Sequence, residues 1–291
     1  MDLGVAASGK GRVVDAIAEY REVLRRKKDH PEGHYNLGHA LHAKGLLEEA
    51  IVEYREAVRL NEDYAEAHCN LGHALRQQGD FRKALEELRR GHELGSKNPS
   101  WPYPSAQWVR YCERLLDLDG KLPGFLEGKT KPASAAERLE LAQICSLKHL
   151  NRAAARFYEE ALGEEPKLNA RHRYNAACAA ALAGCGQGKD ADKLEAKERA
   201  RLRGQALDWL RADLEVTARR LVNESNNAVM FANVLRHWLA DADLAGVRGP
   251  QSLARLPEAE RQPWQKLWGD VAYTLARAQG NATPQKKSAA K

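Results

Sequence analysis

The chain has 291 residues, with 46 basic and 40 acidic side chains, a formal charge of +6 and only 7% aromatic residues. Acids and bases alternate along most of it, so the charge is a solvated surface rather than a directed field, which argues against nucleic acid as a partner. Five scattered cysteines without a CxxC pair argue against a disulfide framework or a zinc finger, no apolar run reaches the ~18 residues of a membrane span, and Met1 to Arg12 holds no hydrophobic signal region, so a cytoplasmic, reducing environment fits best.

The bias toward Ala, Leu, Glu, Arg and Lys favours helix. A period organises it. The segment HYNLGHALHAKGLLEEAIVEYREAVRLNEDYAEA is followed by HCNLGHALRQQGDFRKALEELRRGHELGSKNP, which sets Leu37-Gly38 and Leu71-Gly72 34 residues apart, with Ala50 and Ala84 at the same step. One step back stand Leu3-Gly4, Ala16 and Tyr20. In each unit Leu packs inside a helix pair and the adjacent Gly admits a neighbouring helix. Gly45 and Gly79 occupy the turn, Ala50 and Ala84 mark the closest helix crossing, and Tyr54 or Leu88 fills the space one turn later. A single pair leaves an apolar face bare, so neighbours must stack.

This pattern resembles the tetratricopeptide repeat family. Leu37, Gly38, Leu41, Ala50, Tyr54 and Ala57 match its motif in one unit, and Leu71, Gly72, Leu75 and Ala84 in the next, where Gly91 replaces the later Ala. His34 and His68 take the packing position where the family favours Trp, and Glu62 stands where Pro is usual. The resemblance implies an all-α fold, an α-solenoid of helix-turn-helix repeats, with three repeats over 1–98. The first of these is truncated: Met1 lies two residues before Leu3, which leads us to expect that the native polypeptide extends, or once extended, upstream.

Three prolines between Asn98 and Pro104 interrupt the helices, so 99–134 reads as one helix over 104–119 and a linker over 120–134. Leu141-Ala142, Ala154, Tyr158, Ala161 and Pro166 return to the family's offsets and define a divergent repeat over 135–168. Over 169–223 an expanded hairpin is expected, because Tyr174-Asn175-Ala176-Ala177 echoes Tyr35-Asn36-Leu37-Gly38 and a polar insertion, Gly186 to Lys197, precedes the second helix around Ala206 and Leu210. Residues 224–280 form a helical cap with helices near 226–240 and 257–279. Trp264 and Trp268 share one face of the latter as a core stripe. A disordered basic tail, 281–291, carries Lys286, Lys287 and Lys291. Through YNAACAAALAG and RLPEAERQPWQKLW, residues 99–279 also resemble the non-catalytic repeat region that follows the kinase domain of planctomycete serine/threonine protein kinases.

No kinase machinery accompanies that resemblance: the Gly-rich loop, the strand lysine and the HRD and DFG elements are missing. The run Gly184 to Asp190 imitates a phosphate loop but has Asp where Ser or Thr would bind magnesium, and reads as an inter-helix loop. His39 and His42 lie at i, i+3, with His73 one repeat beyond His39. No carboxylate supports them as a metal cluster, so they read as groove or surface residues. Nothing orients His73 toward Cys69 as a catalytic pair. No cofactor, metal or enzymatic activity is expected.

By resemblance, the first helix of each pair lines the concave surface, and the residue before Leu-Gly projects into it. Here that residue is Asn36, then Asn70, each able to bond both the C=O and the N–H of an extended peptide, or else to tie neighbouring helices together. Tyr35, His39, His42, His73, Arg76 and Gln77 share the face. Relatives that clamp a terminal carboxylate place Lys and Asn where Met1 and Val5 stand, which argues against that use. The sequence thus reads as a scaffold holding a peptide or partner protein in its groove. The alternative is a docking or sensing module of a bacterial serine/threonine kinase system, separated from its kinase domain.

Overall fold

A computed structural model of the chain describes residues 6–165 and 170–280, and its regular structure there is helical throughout. Leu3-Gly4, Pro166 and the 281–291 tail lie outside the described residues. The chain divides near residue 130 into two units.

In the N-terminal unit, α1 (Ala6–Arg26) precedes two hairpins, α2 (Pro31–Ala43) with α3 (Leu47–Leu60) and α4 (Ala65–Gln78) with α5 (Phe81–Gly95), and then α6 (Ser105–Leu126). Local chemistry sets the ends. Pro31 opens α2 at a position that needs no amide donor, and the His30 ring accepts from the Gly33 amide. Gly79, at φ 88°, ends α4, and Asp80 caps α5 by accepting from the Lys83 amide. Leu37, Leu41, Ala50, Ile51 and Tyr54 form a core that continues one repeat on through Leu71, Leu75, Ala84 and Leu88, with Ile17 and Leu24 of α1 joining it.

The glycines of the motif mark contact. A Cβ on Gly72 would sit 2.6 Å from Leu88 Cγ and 3.0 Å from the Ala84 carbonyl. A Cβ on Gly91 would sit 2.5 Å from Cys69 Sγ, so the departure from the family's Ala follows from the thiol across the hairpin.

His34 and His68 do more than pack. In each, Nε2 donates to a carbonyl six residues back, Lys28 at 2.9 Å or Glu62 at 3.0 Å, while Nδ1 meets a carboxylate on the second helix, Glu53 at 2.6 Å or Glu87 at 2.7 Å. A ring held at both nitrogens, by a carbonyl on one side and a carboxylate on the other, thus recurs at the repeat step.

Residues 120–126, expected as linker, continue α6 instead. Pro123 lies inside the helix, yet Leu122 and Phe125 are buried. An interior Pro costs about 3 kcal/mol, and each buried large apolar side chain returns about 1.5–3 kcal/mol, so burial wins. The helix stops before Gly128, at φ 72°.

In the C-terminal unit, α7 (Ala135–Leu147) pairs with α8 (Asn151–Glu164), and α9 (Ala170–Gly184) with the long α10 (Ala196–Asn223). A 3-10 turn (Ser225–Asn227), α11 (Ala228–Ala240), a second 3-10 segment (Ala242–Val247), α12 (Pro250–Ala254) and α13 (Glu258–Ala278) follow. The Gly184–Asp190 loop is structural. The Asp190 carboxylate accepts from the Arg152 and Ala153 amides at 3.1 and 2.9 Å, capping α8 from a distance, and Asn151 Nδ2 donates to the Gln187 carbonyl. Arg203, 6% exposed, grips Glu260 through two bonds of 2.6 and 2.7 Å and also donates to the Gly184 carbonyl, tying α10 to α13 and to the end of α9. Trp264 and Trp268 are buried with rings stacked at 6.3 Å, and Trp268 Nε1 donates to the Val247 carbonyl.

Candidate functional site

The first helices α2, α4 and α6 lie side by side, joined by side chains that cross between them. Asn70 Nδ2 on α4 donates to Tyr35 Oη on α2 at 3.0 Å, and His42 Nε2 and Gln77 Oε1 are 2.9 Å apart across the same pair. The His73 ring meets Trp108 of α6 edge-on at 4.5 Å, and the Arg76 guanidinium lies 5.5 Å from the centre of the Tyr111 ring. These contacts bring six of the eight expected residues, Tyr35, His42, Asn70, His73, Arg76 and Gln77, to the seams between the three helices.

Their states differ. Asn70 serves the inter-helix bond, the alternative role open to it, whereas Asn36 is half-buried and His39 exposed, and neither makes a side-chain hydrogen bond among the described residues. His73 has its Nδ1 buried without a partner, and burial, aided by Arg76 and His42, lowers its pKa to about 4, so the ring is neutral near pH 7. The Tyr35 phenol is raised first by burial and then by Tyr103 and Glu66. Cys69 is buried and its thiol is pushed up to about 12 by desolvation, which leaves no thiolate for nucleophilic chemistry.

Sequence reasoning missed the aromatic wall beside these groups. Trp101 and Tyr103 pack at 4.9 Å, and Tyr103 and Trp108 at 6.0 Å, so the proline-rich segment after α5 leads into α6 along a row of rings that ends on His73. Tyr103 is 45% exposed. The available signal was four aromatics, Trp101, Tyr103, Trp108 and Tyr111, within eleven residues of a chain otherwise poor in them. Tyr64, just before α4, packs 5.0 Å from Tyr35. The face thus offers amide and imidazole groups for backbone bonds next to rings that accept apolar side chains. Among the described residues, no three His, Cys, Asp or Glu side chains converge to hold a metal ion. Nor does any described helix have the length and apolarity to cross a membrane.

Comparison with known proteins places the repeats. Models of the TPR repeat match residues 10–45 and 38–79, and a tetratricopeptide repeat model matches 65–98. No curated protein matches the chain by sequence. Among solved structures, MamA is similar at 20% identity over 74% of this chain and 98% of its own, with a TM-score of 0.30. The P58(IPK) TPR domain is similar at 14% identity over 95% and 86%, with a TM-score of 0.38. The TPR2AB domain of yeast Sti1, in complex with pHSP90, is similar at 17% identity over 92% and 95%, with a TM-score of 0.34. Likeness at this level transfers neither site nor partner.

Proposed function

We propose, for a chain whose residues 10–98 are tetratricopeptide repeats, that the face of α2, α4 and α6 is a non-catalytic docking surface for an extended segment of a partner protein. The observation that carries this reading is the pairing of uncommitted polar groups with rings. Asn36 and His39 make no side-chain hydrogen bond among the described residues, and they share a helix layer with an aromatic row that includes the exposed Tyr103. A segment laid across them would exchange main-chain bonds with Asn36, His39 and Gln77 and set apolar side chains against Tyr103 and Trp108. Tyr35, Asn70, His42, His73 and Arg76 hold the surface in shape through their contacts across the helices. Four of the five cysteines are buried and none is in a disulfide, which fits a reducing compartment that we take to be the cytoplasm.

The test is selection of binders from a random peptide library on the full chain, followed by affinity measurement on variants. The Asn36→Ala, His39→Ala double variant should bind selected peptides about tenfold more weakly or worse. A Val52→Ser control on the exposed side of α3 should bind as the wild type does. Equal binding by the double variant would move the contact off this face. A narrower reading, a docking or sensing module of a serine/threonine kinase system, draws on the stretches that form α9 and the start of α13. Co-purification of such a kinase, lost in the same double variant, would support it.

A further inference from the structure

We propose that the C-terminal unit carries a second binding site, a cleft between α9 and the turn after α11 that seats a cationic side chain, arginine or lysine, of a protein segment. The cleft has a volume of about 400 Å³ and is walled by the end of α7, the start of α8, one side of α9 and the 237–243 turn. Ligand clefts typically span about 300–1,000 Å³. Nothing in the α2–α4–α6 reading bears on it.

Charge selects the occupant. Asp241 and Asp243 line the cleft together with His149 and His237, and among the described residues no Lys or Arg lines it. The two carboxylates are the acidic groups of that described lining. Asp241 is fixed: Oδ2 accepts from Tyr174 Oη at 2.6 Å and lies 3.3 Å from His237 Nε2, while Oδ1 accepts from the Asp243 amide at 3.0 Å. Tyr174 is held in turn by stacking on Trp238, with centroids 5.4 Å apart and planes 20° from parallel. Asp243 sits exposed at the mouth, and its carboxylate makes no hydrogen bond or ion pair among the described residues. A rigid carboxylate and a free one thus flank the same opening, an arrangement that attracts a cation and leaves an anion unpaired.

Shape points to a side chain on a longer polymer. Leu147, Ala179 and Leu182 supply an apolar wall suited to the methylene stem of Lys or Arg. A second hollow shares His149, Asn151, Leu182 and Asp243 with the first and continues past Gln187 and Gly188, so the opening extends as a trough. Lys189 lines the second hollow, beside Asp243, and not the first, which places the seat for a cation in the first hollow.

The experiment is fluorescence anisotropy of the full chain with labelled Gly/Ser peptides carrying one central Arg, Lys, citrulline or Glu. The Arg and Lys peptides should bind, citrulline should bind at least about tenfold more weakly, and Glu should not bind. Asp243→Asn, which keeps the backbone amide on Asp241, should weaken Arg-peptide binding by a similar factor in a variant that remains as helical as the wild type by circular dichroism. Asn36→Ala should leave it unchanged. Equal binding of Arg and citrulline peptides, wild-type affinity in Asp243→Asn, or no binding of any peptide would overturn the proposal. Free argininamide binding as tightly as the peptide would overturn the assignment to a protein segment.

Discussion

The two units solve the same packing problem with different means. In the N-terminal unit a contact made once is made again 34 residues later: Gly38 under Tyr54 and Gly72 under Leu88, His34 on Glu53 and His68 on Glu87. In the C-terminal unit the second hairpin has lost that register, and ion pairs reaching across many residues take its place. Arg203 holds Glu260, and Arg173 holds Asp213, which is 3% exposed, at 2.5 Å. A repeat with small residues at its crossings closes by apolar contact, with the same His–Glu contact repeated at each step. When an insertion displaces one helix, polar groups become trapped and must be matched one to one.

That contrast predicts where each unit is fragile. Arg203→Ala leaves Glu260 and the Gly184 carbonyl without their shared partner, and truncating one member of a buried pair costs about 3–5 kcal/mol. Urea unfolding of the full chain should show the C-terminal unit melting first in this variant, and an unchanged midpoint would contradict the role given to the pair.

Acid should separate the units by sign. His73 is depressed to about 4, so between about pH 6.5 and 4 the unfolded chain takes up a proton that the folded N-terminal unit refuses, and stability is lost as pH falls through that window. Asp213 is raised to about 6, chiefly by burial and against the pull of Arg173, so between about pH 4 and 6 the folded C-terminal unit holds the extra proton and stability is lost as pH rises. Each effect has a ceiling of about 3 kcal/mol, at about 1.36 kcal/mol for each pH unit of displacement. Hydrogen exchange resolved by segment should give opposite pH slopes, each reduced by His73→Phe or Asp213→Asn in its own unit. Slopes of one sign in both units, unaltered by the substitutions, would break the comparison.

Smaller effects sharpen it. Gly72→Ala forces Leu88 and the Ala84 carbonyl apart and should cost about 1–3 kcal/mol. Gly269, exposed inside α13 with open space where a Cβ would project, should instead gain about 0.5–1 kcal/mol as Ala. Thermal midpoints moving in opposite directions would confirm that the motif glycine is a contact and the α13 glycine is not.

The repeat region was legible because its determinants are local. Leu37-Gly38, Gly45, Ala50 and Tyr54 lie within one helical hairpin, so their spacing alone specifies the pair. The end of α6 was not legible, since Gly120 and Pro123 look like a stop until Leu122 and Phe125 are seen to be buried. The histidine clamps were half visible: Glu53 and Glu87 repeat in step with His34 and His68, but only the folded hairpin shows that they meet. The face residues Asn36 and Asn70 looked alike in sequence, yet one is tied to Tyr35 and the other is untied. The C-terminal cleft could not be read at all, because His149, Tyr174, His237 and Asp243 come from separate elements brought together by the turn after α11.

The most direct test of the docking surface is hydrogen-exchange mass spectrometry on the full chain with and without a library-selected peptide. Exchange should slow in α2 and α4, with α3, α5 and the C-terminal unit unchanged. Slowing confined to α3 and α5, or to the C-terminal unit, would contradict the assignment of the first-helix face as the docking surface.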